Sequence, residues 1–295
     1  MQDPTKTHYN RIRWVLIFIL VLNWGVSAAK MIIGYLTRCE SMIADGFHSL
    51  SDGASNIIGL IGIALSSKPV DADHPYGHRK YETFFSLGIA VLLFILAINL
   101  IREGFDHLFH PAAPQADMWS FSVMIITIGV NMWVMNYEYK KGKFLKSDFL
   151  IADSMHTKAD IFTSLSVIIA LVSIKLGFPI IDPIVTMVIS LFIGYAGMEI
   201  VKDASKVLCD TVAIMDINKI STVVLTVKGV KTCHKIRTRG RPDDICVDLH
   251  VQVDSAMHVD EAHKISFAIE DALKKNIPEV SDVLVHIEPK KDRKE

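Results

Sequence analysis

The sequence predicts a membrane α-helical protein with six transmembrane helices, followed by a small α/β domain. The chain of 295 residues is 51% hydrophobic, with a mean hydropathy of +0.34, which is too apolar for an ordinary soluble protein of this length. Residues 1–211 are mostly apolar runs with short polar gaps, whereas residues 212–295 mix charged and apolar residues. We therefore expect a transmembrane domain over 1–211 and a soluble domain over 212–295.

Six segments are long and apolar enough for a membrane helix, which needs about 20 residues. The third, SLGIAVLLFILAINLI, is the clearest, and the second and fifth are more polar. No cleavable signal sequence is evident, so the first apolar run is interpreted as a span. The predicted spans are 14–36, 41–67, 82–106, 118–138, 150–176 and 179–201.

Lysine and arginine residues cluster in alternate gaps between these spans, and such clusters mark the cytoplasmic side. The other gaps contain few basic residues, namely Arg38 and, at the edge of the last gap, Lys175. Both termini and the C-terminal domain are therefore expected in the cytoplasm. The basic residues of the predicted cytoplasmic segments are Lys6, Arg11, Arg13, Lys68, Arg79, Lys80, Lys140, Lys141, Lys143, Lys146, Lys202 and Lys206.

Charge and cysteine content exclude some partners and bonds. The net charge is −1 and no basic stripe is present, so a nucleic-acid partner is not expected. The cysteines are scattered, without a CxxC pair, and are interpreted as unpaired thiols. They are Cys39, Cys209, Cys233 and Cys246.

A short motif occurs twice, as ADGFHSLSD at 44–52 and ADSMHTKAD at 152–160. His48 and Asp52, like His156 and Asp160, are four residues apart, which places each pair on one helix face. The predicted topology makes the second and fifth spans antiparallel, with both pairs near the middle of the membrane. Four such ligands suit tetrahedral zinc, and two carboxylates neutralise a divalent ion. Because protons compete for every ligand, metal release would be coupled to proton uptake.

Other roles for the polar residues in the spans stay open. The two pairs could bind each other across the helices without a metal. Asp45 and Asp153 could support the ligands, line the access path, cap a helix end or bind the metal themselves. Asn23, Asn56 and Asn99 are expected to form hydrogen bonds between helices.

The chain resembles the cation diffusion facilitator family of divalent metal/proton antiporters. HSLSD in span 2, DADHPYGHRK in the 2–3 loop and HTKAD in span 5 carry the resemblance, which covers nearly the whole chain. It implies that a homodimer exports a divalent cation, with protons as the coupling ion. The implied transport site consists of His48, Asp52, His156 and Asp160. Histidine in both pairs implies a preference for Zn²⁺, with Cd²⁺ and Co²⁺ as surrogates.

The resemblance also assigns roles in the 2–3 loop. Asp71, His74 and His78 map onto a second metal site, and three ligands with open positions suit a weak, exposed site. Alternatively, the loop is solvated and its histidines contact lipid headgroups. The resemblance pairs Lys80 with Asp210 of another subunit in a dimer salt bridge. The 4–5 loop lacks the histidine run of many eukaryotic members, which favours the prokaryotic form and the inner cell membrane.

For the tail, residues 212–295, the sequence predicts the order helix, strand, strand, helix, strand. Asp216 is expected to be a helix N-cap, and His258 a cap or a surface residue. The tail resembles the family's αββαβ domain, a metallochaperone-like (ferredoxin-like) fold that dimerises and binds metal. His250 alone could be a structural strand residue. The predicted tail ligands are His234, His250, His263, His286 and Glu288.

Two other functional classes would need different features in the sequence. An intramembrane metalloenzyme needs an open zinc position and a base, and no HExxH occurs. A membrane-anchored metal sensor would not need a buried site of two histidines and two aspartates. The sequence therefore predicts a transporter and not an enzyme, with Fe²⁺ or Mn²⁺ as the alternative main substrate.

Overall fold

The structure is a computed structural model that describes residues 4–37, 40–109, 118–176, 178, 180–213 and 216–290. The chain divides into two compact units, Met1–Ala204 and Ser205–Glu295. Six long helices form the first part of the chain and a small α/β domain forms the second. The long helices are α1 (Pro4–Thr37), α2 (Glu40–Ser66), α3 (Lys80–Phe109), α4 (Met118–Leu145), α5 (Asp148–Lys175) and α6 (Ile181–Leu208).

Among the described residues, three of these helices are long and apolar enough to cross a membrane by length and composition. They lie at Thr7–Leu36, Lys80–Phe109 and Ile181–Leu208. In α2 only Gly53–Ser66 forms a shorter apolar stretch, because the ADGFHSLSD segment precedes it. The protein is a multi-pass membrane protein, and the count of six spans stays a prediction.

Small residues let the long helices approach closely. A Cβ atom added at Gly59 of α2 would lie 2.2 Å from Cε1 of Phe149 at the start of α5. One added at Gly104 of α3 would lie 3.0 Å from Cγ of Met187 on α6. Close packing at small residues is how helices associate where lipid offers no hydrophobic driving force.

Buried polar contacts hold both ends of α3. Glu82, fully buried, accepts hydrogen bonds from the Ser147 hydroxyl and, at 3.4 Å, from the Phe149 amide, just after α4 ends. At the other end, His107 Nδ1 lies 2.9 Å from Asp182 Oδ2 on α6. Each contact supplies a partner for a polar group that would be costly to bury alone.

The tail contains α7 (Ile217–Leu225), β1 (Thr232–Arg241), β2 (Asp244–Val253), α8 (Val259–Asn276) and β3 (Val280–Pro289). The sheet has the order β1-β2-β3, with β1 antiparallel and β3 parallel to β2. The αββαβ, ferredoxin-like order predicted for the tail is therefore confirmed. The side chain of Asp216 caps α7, as predicted, and that of His258 caps α8.

The tail core forms because inward-facing residues on β2 alternate with outward-facing ones. The strand ICVDLHVQV is buried at every second position, which is the pattern of one sheet face packed on helices. Ile265, Ile269 and Leu273 of α8 lie against this face at helical spacing. His250 consequently lies on the opposite, partly open face of the sheet.

Candidate metal centres

The two repeated motifs lie within α2 and α5. Residues 48 and 52 belong to the α2 helix, but the side chains of Asp45, His48 and Asp52 lie outside the described part of the structure. His156 and Asp160 lie one turn apart on α5 and are partly buried. Of the predicted transport site, the structure therefore describes the α5 half.

His156 and Asp160 line a small polar cavity of about 30 Å³ between four helices. Ser49 and Asn56 of α2 line the same cavity, so it lies beside the α2 segment that includes residues 48 and 52. The polar lining suits an ion or water and not an apolar ligand. The remaining lining residues are Asn23 and Val26 of α1, Ser55 of α2, Thr127 and Asn131 of α4, and Thr157 of α5.

A buried polar network lies behind this cavity. Asn56 donates a hydrogen bond from Nδ2 to Oδ2 of Asp153 at 2.7 Å, which joins α2 to α5. The hydroxyl of Thr157 donates to Oε2 of Glu138 at 2.9 Å, which joins α5 to α4. Asn56, Glu138 and Asp153 are each at most 1% exposed. These contacts hold the α5 motif between two neighbouring helices.

The network gives Asp153 a supporting position and includes Glu138, which the sequence alone does not indicate as a functional residue. Asp153 is held by Asn56 and is absent from the cavity lining, so it orients α5 and does not face the cavity. Glu138 lies at the end of the predicted fourth span, just before a lysine-rich gap, and therefore resembled a residue at the membrane surface. Only the structure shows that Glu138 is completely buried, and this burial marks it as part of the network.

The 2–3 loop brings Asp71, His74 and His78 together. One potential ligand atom from each residue lies within 4.8 Å of the others. Asp71 Oδ1 is 3.0 Å from His74 Nδ1, and Asp71 Oδ2 is 3.3 Å from His78 Nε2. His78 is 5% exposed, and its Nδ1 has no hydrogen-bond partner among the described residues. One carboxylate and two imidazoles are a donor set that fits Zn²⁺ and related ions.

Local hydrogen bonds shape this loop before any metal binds. Asp71 Oδ1 accepts from the backbone amides of Asp73 at 3.1 Å and His74 at 2.7 Å, so the loop turns back on itself. Burial on its own would raise the pKa of the Asp71 carboxyl, but the His74 hydrogen bonds and the nearby imidazoles lower that pKa overall. A lowered pKa keeps Asp71 ionised and ready to bind a cation.

The tail brings together His234, His250 and Glu288, again with ligand atoms within 4.8 Å of one another. His250 Nδ1 lies 2.7 Å from Glu288 Oε1, and His234 Nε2 lies 3.2 Å from Glu288 Oε2. The hydrogen bond from His250 is the main cause that lowers the pKa of Glu288. The donor set is the same as in the loop, so this cluster also fits a divalent metal.

Strand register explains this cluster. His234 pairs with His250 across β1 and β2, and His250 pairs with His286 across β2 and β3, so three histidines form one row. His286 is exposed, and its ring is tilted against that of His250 with ring centroids 4.5 Å apart. Its Nε2 lies 3.9 Å from Glu288 Oε1. His263 lies on α8 against Phe267 and is not part of the cluster among the described residues.

The predicted contact between Lys80 and Asp210 of another subunit stays a prediction.

Comparisons with known proteins identify the family. Residues 16–209 match the model of the cation efflux transmembrane domain, and residues 214–290 match that of the cation efflux protein cytoplasmic domain. The chain belongs to the cation efflux (cation diffusion facilitator) family. Members of this family are transporters, and the efflux of divalent metal cations is the activity that follows from membership.

Three curated relatives and one solved structure illustrate the similarity. An uncharacterized transporter of Methanocaldococcus jannaschii is 31% identical over 92% of this chain and 96% of its own length. Manganese efflux system protein MneS of Bacillus subtilis is 30% identical over 90% and 91%. Metal tolerance protein C1 of Arabidopsis thaliana is 29% identical over 92% of this chain, which spans 61% of that protein. A solved MamM CTD structure is 27% identical over 25% of this chain and 94% of its own, with a TM-score of 0.25.

Proposed function

We propose that this cation efflux protein is a homodimeric antiporter of the inner cell membrane that exports Zn²⁺ from the cytoplasm in exchange for protons. The observation that carries the proposal is the pair His156 and Asp160, which line one polar cavity together with Ser49 and Asn56 of α2. The transport site would combine this pair with His48 and Asp52.

The donor set supports zinc and proton coupling. Two imidazoles and two carboxylates give four ligands without a thiolate, so the metal would be held less tightly than in a structural site. Each ligand binds a proton in competition with the metal, so acid on the outer side would displace the ion. Alternating access around a site near the membrane midplane would then complete the exchange.

The loop and tail clusters would hold further metal ions. Asp71, His74 and His78 form one set, and His234, His250 and Glu288 form the other. We propose that the tail, whose family model is that of the cytoplasmic domain, binds metal in the cytoplasm and stabilises the dimer. Lys80 and Asp210 would add an inter-subunit salt bridge near the membrane surface.

Mn²⁺ is a second candidate substrate because of one specific finding. MneS, at 30% identity, is described as a manganese efflux protein. Imidazole and carboxylate ligands also accept Mn²⁺, and geometry as well as affinity decides between metals. Zinc remains the first choice because both predicted ligand pairs contain histidine.

Sealed proteoliposomes with the purified full chain would test the proposal. Fluxes of Zn²⁺, Mn²⁺ and Fe²⁺ would be recorded with and without a pH gradient, for the wild type, for Asp160→Asn and for Asp106→Asn. Asp106 is an exposed aspartate on α3 that does not line the cavity and is the matched control. We expect gradient-dependent zinc flux that Asp160→Asn abolishes and Asp106→Asn retains. If the protein transported Mn²⁺ but not Zn²⁺, manganese would replace zinc as the proposed substrate. A metal flux that did not change with the pH gradient would refute proton exchange.

A further inference from the structure

A buried lysine lies beside the polar cavity. Lys30 on α1 is 3% exposed, and its Nζ donates a hydrogen bond to the hydroxyl of Ser49 on α2 at 2.8 Å. Among the described side chains of the six long helices, it is the only buried lysine. Ionisable groups inside a membrane domain are costly and usually functional.

Lys30 is close enough to the end of α1 for its ammonium to reach the membrane surface, which would cost less free energy than burial. Lys30 lies seven residues before α1 ends at Thr37, which is about 10 Å at about 1.5 Å per residue. A lysine at that depth ordinarily extends its ammonium to the nearby membrane surface. Here the side chain turns inward and contacts α2 instead.

Tight packing keeps Lys30 next to this part of α2. The Ser27 hydroxyl donates to the backbone carbonyl of Gly46 at 2.6 Å, so α1 and α2 are in direct contact one turn away. A Cβ atom at Gly46 would lie 2.5 Å from Cγ of Met31, so the two helices pack too closely here for any residue larger than glycine. This packing brings the Lys30 ammonium within hydrogen-bond distance of Ser49.

Ser49 connects Lys30 with the transport site. Its side chain lines the cavity together with His156 and Asp160, so the Lys30 ammonium lies one hydroxyl group behind the cavity wall. Asp160 contributes a carboxyl to the same lining, and the buried carboxyls of Glu138 and Asp153 lie behind it, bonded to the lining residues Thr157 and Asn56. A positive charge on the α1 side therefore lies close to a site that has the Asp160 carboxyl in its described lining and two further carboxyls behind that lining.

We propose that Lys30 is a built-in counter-cation of the transport site that weakens divalent-metal binding and so speeds metal release. In the metal-free site, the ammonium compensates part of the buried negative charge. When a divalent ion enters, the ammonium repels it, and this repulsion is strong where the effective dielectric constant is low. The inference rests on the proposed function, in which the outer end of α1 is on the release side.

Equilibrium binding and flux of the full chain in lipid nanodiscs and proteoliposomes would test Lys30. Lys30→Met and Lys30→Gln remove the charge, Lys30→Arg keeps it, and Lys140→Met, at an exposed lysine of α4, is the control. Zinc binding would be measured by calorimetry in a background with His78→Ala and His250→Ala, which removes ligands of the loop and tail clusters.

We expect the neutral variants to bind zinc about 10-fold more tightly. In proteoliposomes they should have a lower KM and a lower maximal rate, whereas Lys30→Arg and Lys140→Met should resemble the wild type. Unchanged zinc affinity in both neutral variants would overturn the proposal, as would a Lys30→Arg variant that matches Lys30→Met. Because calorimetry needs no gradient, it decides the role of Lys30 even if wild-type zinc/proton exchange fails.

Discussion

Asn56 of α2 and Asp153 of α5 are joined by a 2.7 Å hydrogen bond, and both side chains are only 1% exposed. The bond lies four residues after Asp52 and three residues before His156. It therefore ties together the two helices that contain the repeated motif. The relative position of the two motif segments depends on a contact between residues that are not themselves predicted ligands.

Replacing Asn56 with leucine should destabilise the membrane domain. Asp153 would lose a buried hydrogen-bond donor, and a buried acceptor without its partner costs about 1–3 kcal/mol. The measurement is the unfolding midpoint of the purified protein in detergent, followed by intrinsic tryptophan fluorescence. Asn136→Leu is the control, because Asn136 is an exposed asparagine of α4 that donates to the Met132 carbonyl of its own helix. Equal midpoints for the two variants would show that the Asn56–Asp153 bond contributes little.

The features that the sequence could predict are those in which the partners are close along the chain. The spacing of His156 and Asp160 predicts a shared helix face, and both line one cavity. The loop residues Asp71, His74 and His78 fall within eight positions and come together in space. Asn56 was expected to bond between helices, and it does.

Contacts between distant segments could not be predicted in the same way. The partners of Lys30 and Glu138 lie 19 residues away on other helices, and periodicity does not specify which helix packs against which face. The sequence predicts His263 as a tail ligand because it lies in the same small domain as the other histidines. It belongs to a helix, and the relation of a helix face to a strand row is set by tertiary packing.

Enlarging Gly59 should weaken the contact between α2 and α5. Its Cβ would lie 2.2 Å from Cε1 of Phe149, and Phe149 is completely buried, so the ring has little room to move. Overpacking of this kind costs about 1–3 kcal/mol, and we expect Gly59→Ala to lower the unfolding midpoint. Gly129→Ala is the matched change on α4, where a Cβ meets nothing within 4 Å. Gly129→Ala should leave the unfolding midpoint unchanged or raise it, because alanine has the higher helix propensity. If Gly129→Ala lowered the midpoint as much as Gly59→Ala, the steric explanation would be refuted.

The loop cluster should lose most of its zinc affinity when the Asp71 carboxylate is replaced. Asp71→Asn keeps the size of the side chain but removes the charge that approaches both imidazoles, at 3.0 and 3.3 Å. We expect a loss of about 10-fold or more, because a divalent ion at this site needs an anionic ligand. Asp73→Asn is the control, since Asp73 is exposed in the same loop and contacts Asp71 only through its backbone amide among the described contacts. Zinc titration against a competing chelator, with His156→Ala and His250→Ala in the background, would measure both variants, and equal affinities would exclude Asp71 as a ligand.

Acid should loosen the tail partly through Glu288. The hydrogen bond from His250 lowers the pKa of this carboxyl below its ordinary value, which is about 4.3. A group with a lowered folded-state pKa contributes stability that is present above the ordinary value and is lost as the pH falls through the lowered one. Hydrogen exchange of β2 and β3 in the full chain, corrected for intrinsic rates, should therefore show falling protection below about pH 4. Glu288→Gln should flatten this dependence, whereas Glu261→Gln, at an exposed glutamate of α8, should retain it. The same slope in wild type and Glu288→Gln would mean that other carboxyl groups account for the acid response, because glutamine at position 288 has no proton to gain.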